Sequence, residues 1–215
     1  MARPTEDTKL TVLNDHYNNT VADMKKTGRS CDKAFIAVFV LLGVMAFIVV
    51  SPDHSQGVLS QIITKKLGID ASLSLSFIGS LVWAGVLFTS ISYFQAVINL
   101  EKIYNYSHRL EEELSQHYGG KAFTREGKSY LENYPIYSEW LHIIYRYIFP
   151  VLLVVVLSAK IITEEKTQNF PALPLVIDGL IFIMIVLSVV LYVYSIWRAE
   201  KDEAATLKTS PKSRQ

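Results

Sequence analysis

The sequence predicts an all-α, polytopic membrane protein with four transmembrane helices and a small helical cytoplasmic cap. Three observations carry that expectation. Half of the 215 residues are hydrophobic, and they come in blocks. Residues 71–100 form one uncharged run of about thirty positions, well beyond the roughly 18 at which a membrane helix becomes the default reading. The charges lie mostly between blocks, and 17 of the 21 lysines and arginines fall on one side, 16 in alternate gaps and Arg146 just inside the third block.

Taken in order, residues 1–33 are a mostly polar amino-terminal segment, too long and too polar for a cleavable signal peptide. Within it Leu10, Leu13, Tyr17, Val21 and Met24 make an amphipathic stripe expected to stop near Gly28. The first span is 34–51, ended by Pro52, and 52–73 is an outer loop. The second span is 74–100. Residues 101–139 form a cytoplasmic helical stalk and return segment. The third span is 140–163, with Arg146 and Lys160 near its ends and Pro150 predicting a kink or a carbonyl satisfied by a neighbour. An outer loop over 164–173 leads to the fourth span, 174–197. The tail, 198–215, continues that helix briefly and is then largely disordered.

Orientation follows from the basic residues. Arg3, Lys9, Lys25, Lys26, Arg29 and Lys33 precede the first span, and Lys102, Arg109, Lys121, Arg125, Lys128 and Arg146 follow the second. Arg198, Lys201, Lys208, Lys212 and Arg214 follow the fourth, against Lys65, Lys66, Lys160 and Lys166 on the other side. The positive-inside bias therefore places both termini and the middle loop in the cytoplasm, across a plasma membrane of the bacterial inner-membrane type. Aromatic residues crowd the same side: Tyr130, Tyr134, Tyr137, Trp140, Tyr145 and Tyr147 before the third span, and Tyr192, Tyr194 and Trp197 at the end of the fourth. The sequons Asn18-Asn19-Thr20 and Asn105-Tyr106-Ser107 fall on this inner side and read as chance.

The second span runs on past the hydrocarbon. No glycine or proline intervenes between Leu100 and Gly119, and Ile103, Tyr106, Leu110 and Leu114 keep an apolar stripe. A helix from Ser74 to Tyr118 is about 67 Å long, where about 30 Å spans the hydrocarbon. The excess is a stalk, and its stripe needs a partner. The amino-terminal stripe and a short helix expected over 124–133, before Pro135, are the two candidates within the chain. Ile103, Tyr106, Leu110, Leu114, Arg125 and Lys128 are the candidate contacts for a cytoplasmic protein.

Chemistry is sparse. The five histidines form no H-x-x-x-H pair, and nucleophile elbow, P-loop and dinucleotide turn are all missing from the sequence, so no enzyme, metal or cofactor is expected. Glu111, Glu112 and Glu113 fall on successive helix faces and read as a solvated patch. Cys31 reads as a small residue at the membrane boundary. Intramembrane polar candidates are Asp178, Gln95, Asn99 and Arg146. Asp178 reads as an interfacial carboxylate near Lys160 or Lys166; Gln95 and Asn99 can hydrogen-bond between helices; Arg146 can pair with Glu139 or reach lipid phosphate. Ser72, Ser76, Ser80 and Ala84 recur every fourth residue, with Gly79 and Gly85 beside them. Such a small-residue face lets helices approach closely, within one chain or between copies, with a slight lean to the former.

The segments "LEKIYNYSHRLEEELSQHYGG" and "FTREGKSYLENYPIYSEWLHIIYRYIFP" resemble a pattern found in small bacterial four-span membrane proteins. By size and four-span plan the chain also resembles the membrane subunit of the Kiwa anti-phage defence system. That resemblance implies an oligomeric membrane sensor working with a cytoplasmic effector, and it carries over no functional residues.

The functional expectation is a non-enzymatic membrane scaffold or sensor that couples the bilayer to a cytoplasmic protein partner through the stalk. It includes a homo-oligomer, no nucleic acid, and the anti-phage setting implied by the resemblance. The alternative is a homo-oligomeric channel or pore-forming effector, motivated by the serines of the second span and by Asp178. Against it stand the missing charge ring and filter motif. A transporter ranks last, because no inverted repeat is evident.

Overall fold

The computed structural model describes residues 6–67, 75–117, 140, 143–166 and 172–209, and all of these but Ser51 are helical. The elements are α1 (Glu6–Val50), α2 (Pro52–Leu67), α3 (Leu75–His117), a π-helical turn (Ile144–Ile148), α4 (Phe149–Lys166) and α5 (Ala172–Thr209). Four of the helices are long and apolar enough to cross a membrane: those over Asp7–Val50, Ser76–Ser115, Ile144–Thr163 and Leu173–Ala199. The expected short helix over 124–133, together with Ser72, Arg125, Lys128 and Glu139, lies outside the described residues.

Three boundaries differ from the sequence expectation, each for a local reason. Gly28 does not end the first amphipathic stretch, and α1 runs through it to Val50. A single glycine costs about 1 kcal/mol against alanine in a helix interior, too little to break a helix of 45 residues. Pro52 ends α1 but also opens α2, because proline in the first turn surrenders no helical hydrogen bond. Ser51 N–H still donates to Phe47 O at 3.0 Å, and Ser55 N–H to Ser51 O at 2.9 Å, so most of the expected outer loop is helix. At the other end, α5 continues to Thr209 through Ala-Glu-Lys-rich sequence of high helix propensity, well past the brief extension expected of the tail.

At Pro150 the structure shows a change of helix type in the turn before it. Pro150 cannot donate to the carbonyl of Arg146, and its ring crowds that carbonyl. The preceding turn, Ile144–Ile148, widens to π geometry in answer.

The chain forms two compact units. Met1–Asp32 with Gln95–Ile148 is one, and Lys33–Phe94 with Phe149–Gln215 is the other. The second holds the apolar core. Val38 from α1, Trp83 and Val86 from α3, Leu153 and Leu157 from α4 and Ile185 from α5 are all fully buried. Helix α4 packs against α5. Phe35, Tyr93 and Phe149 form an aromatic cluster, the ring of Phe149 lying 4.9 Å from each of the others. Phe94 stacks on Tyr192 at 4.5 Å. Large apolar side chains also cover the outside of this unit: Val40, Phe88, Val151, Val155, Leu180, Ile183 and Leu187 are all exposed. Such a surface is unfavourable in water and neutral against lipid tails.

The small-residue face of α3 belongs in part to this core. Gly79 is buried, while Ser76, Ser80, Ala84 and Gly85 are half-buried. A Cβ at Gly85 would lie 3.3 Å from Leu41 Cδ1, so α1 and α3 approach closely there. That contact is within one chain. Gly85→Ala is expected to be tolerated, because a leucine methyl can swing aside. Gly85→Leu overpacks the contact and should cost about 1–3 kcal/mol, measured as an earlier unfolding midpoint in detergent titrated with dodecyl sulfate.

Candidate functional site

The first unit is where charged and buried groups meet. Its seam forms between the amino-terminal part of α1 and the carboxy-terminal part of α3. From α1, Thr20 and Met24 are buried, and Leu10, Leu13 and Tyr17 are half-buried. From α3 come Ser107, Leu110, Glu111 and Leu114, all buried and spaced three and four apart. The amino-terminal stripe is thus one occupant of the stalk's apolar face.

At the middle of the seam the Tyr17 hydroxyl donates to Glu111 Oε1 at 3.2 Å. His108 Nδ1 lies 3.9 Å from Glu111 Oε2, on the same helix face. Beside this contact the two helices leave an open groove of about 360 Å³. Thr8, Lys9, Val12, Leu13 and His16 line it from α1, and Tyr106, Leu110 and Glu113 from α3.

A second charged contact lies at the π turn. Arg146 Nε is 3.1 Å from Glu101 Oε1, with both side chains largely shielded. The guanidinium also sits 5.4 Å from the ring centroid of Tyr147. Arg146 therefore pairs with Glu101 on α3, and the expected partner, Glu139, lies outside the described residues.

Other sequence candidates are placed as follows. Leu110 and Leu114 are buried in the seam, and Leu110 also lines the groove; Ile103 is half-buried, and Tyr106 is exposed at the groove. Glu111 does not share a solvated patch with Glu112 and Glu113: it is buried, while they are exposed. Its missed signal was Tyr17, whose hydroxyl, on an otherwise apolar stripe, needs a polar group across the seam. Asp178 is fully buried in the second unit. It sits seven and fourteen residues before Ile185 and Tyr192, both buried, so helical periodicity puts it on the same inward stripe. Gln95 and Asn99 are exposed. Thr20 and Ser107, the hydroxyl residues of both sequons, are buried in helices, and Thr20 donates to His16 O at 2.8 Å.

Cys31 is buried, and desolvation with the nearby Asp32 carboxylate pushes its thiol up to about 11 from an ordinary 9.0. The neutral thiol is the form that folding favours. Its stabilisation is complete below pH 9 and is lost as pH rises through about 11. Maleimide labelling near pH 7.5 is therefore expected to be negligible in the folded chain and rapid after denaturation.

Among the described residues, no group of three or more His, Cys, Asp or Glu side chains could hold a metal ion. No family model, curated protein or solved structure matches this chain.

Proposed function

We propose that this chain is a non-enzymatic integral membrane scaffold or sensor, coupling the bilayer to a cytoplasmic protein partner through a helical stalk. In this reading four helices cross a bacterial inner membrane, both termini and residues 101–139 face the cytoplasm, and copies of the chain associate. The observation that carries it concerns α1 and α3. Each contains a membrane-length apolar stretch, each continues as helix into charged sequence, and their charged ends pair through Tyr17 and Glu111. Helices hydrogen-bonded throughout transmit displacement, and the groove beside the seam offers a partner a mixed apolar and charged surface. Anti-phage defence is the setting that the resemblance to the Kiwa membrane subunit implies.

The test is affinity capture of the tagged chain from membranes, with and without residues 101–139. A stoichiometric cytoplasmic protein, lost on deletion while the shortened chain stays in the membrane, is the expected result. Unchanged recovery of that protein would sink the reading.

A channel is the second reading. It is favoured by buried polar atoms in the second unit: Ser80 Oγ and Ser90 Oγ reach no hydrogen-bond partner among the described residues, and Asp178 is fully buried. Single-channel currents from purified chain in planar bilayers, abolished by Ser80→Leu, would establish it over the scaffold.

A further inference from the structure

We infer that the face of α3 carrying Gln95 and Asn99 docks a second copy of this chain, with the amides pairing across a two-fold axis. This rests on the membrane-spanning reading above and names the partner and the face.

Both residues lie inside the uncharged run, one turn apart on one side of α3, and both are exposed. Gln95 is six residues, about 9 Å of helix, before the first charge at Glu101. Hydroxyl groups at apolar-facing positions do not share their difficulty. Ser92, Ser188 and Ser195 each donate to the carbonyl four residues back, at 2.9, 2.7 and 2.8 Å, and so satisfy their own donor. A carboxamide has two N–H donors as well as an acceptor, so one bond to a carbonyl of its own helix leaves a donor and the acceptor unmet. On a helix in lipid, an exposed amide calls for another amide.

The chemistry selects what that other group is. A lipid phosphate accepts hydrogen bonds but donates none, so it would leave both side-chain carbonyls unmatched. A carboxamide is donor and acceptor at once and therefore complements itself. A two-fold axis places each residue opposite its own counterpart, which is the arrangement that rewards self-complementarity. The competing face is in use, because α3 meets α1 at Gly85 and Leu41.

The experiment is oxidative cross-linking in native membranes on a Cys31→Ala background. Gln95→Cys and Asn99→Cys are expected to give covalent homodimers, and Val190→Cys, exposed on α5, is expected to give none. With Lys102→Cys as reporter, Gln95→Leu plus Asn99→Leu should reduce the dimer about tenfold, whereas Gln95→Asn should preserve it. Dimer yields at Gln95→Cys and Asn99→Cys no higher than at Val190→Cys, in carbonate-resistant chain, would leave the spanning reading intact and overturn the docking face. So would cross-links centred on Ser76→Cys, which put the contact on the small-residue face, or a covalent adduct only with a different protein. Chain that carbonate strips from the membrane would defeat the spanning reading itself, and the docking face with it.

Discussion

Trp83→Ala is expected to lower the stability of the second unit by about 3–5 kcal/mol, toward the lower end of that range. Trp83 is a fully buried indole, and its ring meets Phe182 of α5 edge to face at 6.3 Å. Truncation removes that contact and leaves a void that neighbouring leucines and valines fill only in part. In the proposed membrane-spanning reading lipid tails are as apolar as the core, so the transfer contribution seen in water is largely missing. The loss is one of packing. One consideration acts the other way: Trp83 Nε1 has no hydrogen-bond partner among the described residues, and alanine removes that orphan donor. Dodecyl sulfate titration in mixed micelles reads the difference. Phe88→Ala, whose side chain is 69% exposed, serves as the control and should leave the midpoint in place. Equal midpoints for the two variants would mean that the buried face of α3 has been misassigned.

The second large effect is expected from Leu114→Ala, at about 2–5 kcal/mol. Leu114 is fully buried between helices whose other faces carry exposed charges, so both hydrophobic transfer and cavity formation count. The effect should also be local. Hydrogen exchange is expected to quicken in residues 7–31 and 101–117, the two sides of the seam, while Val151–Leu157 and Ile181–Val193 keep their protection. Tyr106→Ala, at the edge of the groove, removes an exposed ring and should change exchange little. If Leu114→Ala loosened both units equally, the two would be one cooperative body.

These two positions also show what was legible beforehand. The four long helices were legible because a block of some twenty uncharged, apolar residues has few fates other than hydrocarbon. Leu114 was legible as part of a stripe, and the amino-terminal stripe as something it could meet. The ion pair of Arg146 was not, because Glu101 is far away in sequence and no local spacing announces it. The burial of Asp178 follows from its face of the helix and not from its depth along the span. Its seven-residue spacing to Ile185 and again to Tyr192 held the answer. Pro52 was read as a stop signal only, although the same fixed φ that ends one helix starts the next. Glu111 was grouped with its neighbours in sequence, and helix geometry separates such neighbours by about 100°. In each case the missing information was direction around an axis or a partner distant along the chain.

The hydroxyls of α3 alter how that helix should be ranked. Its most apolar stretch is less apolar than those of the other three membrane-length helices, with Thr89, Ser90, Ser92 and Gln95 weighing against it. Yet Thr89 and Ser92 hand their protons to Gly85 O and Phe88 O at 2.7 and 2.9 Å. A partition scale charges those two residues for polarity that the folded helix has already hidden from oil. The segment that a hydropathy plot ranks last is therefore better suited to hydrocarbon than its score, and the polarity it retains lies in its carboxamides and in the unbonded groups of Ser80, Trp83 and Ser90.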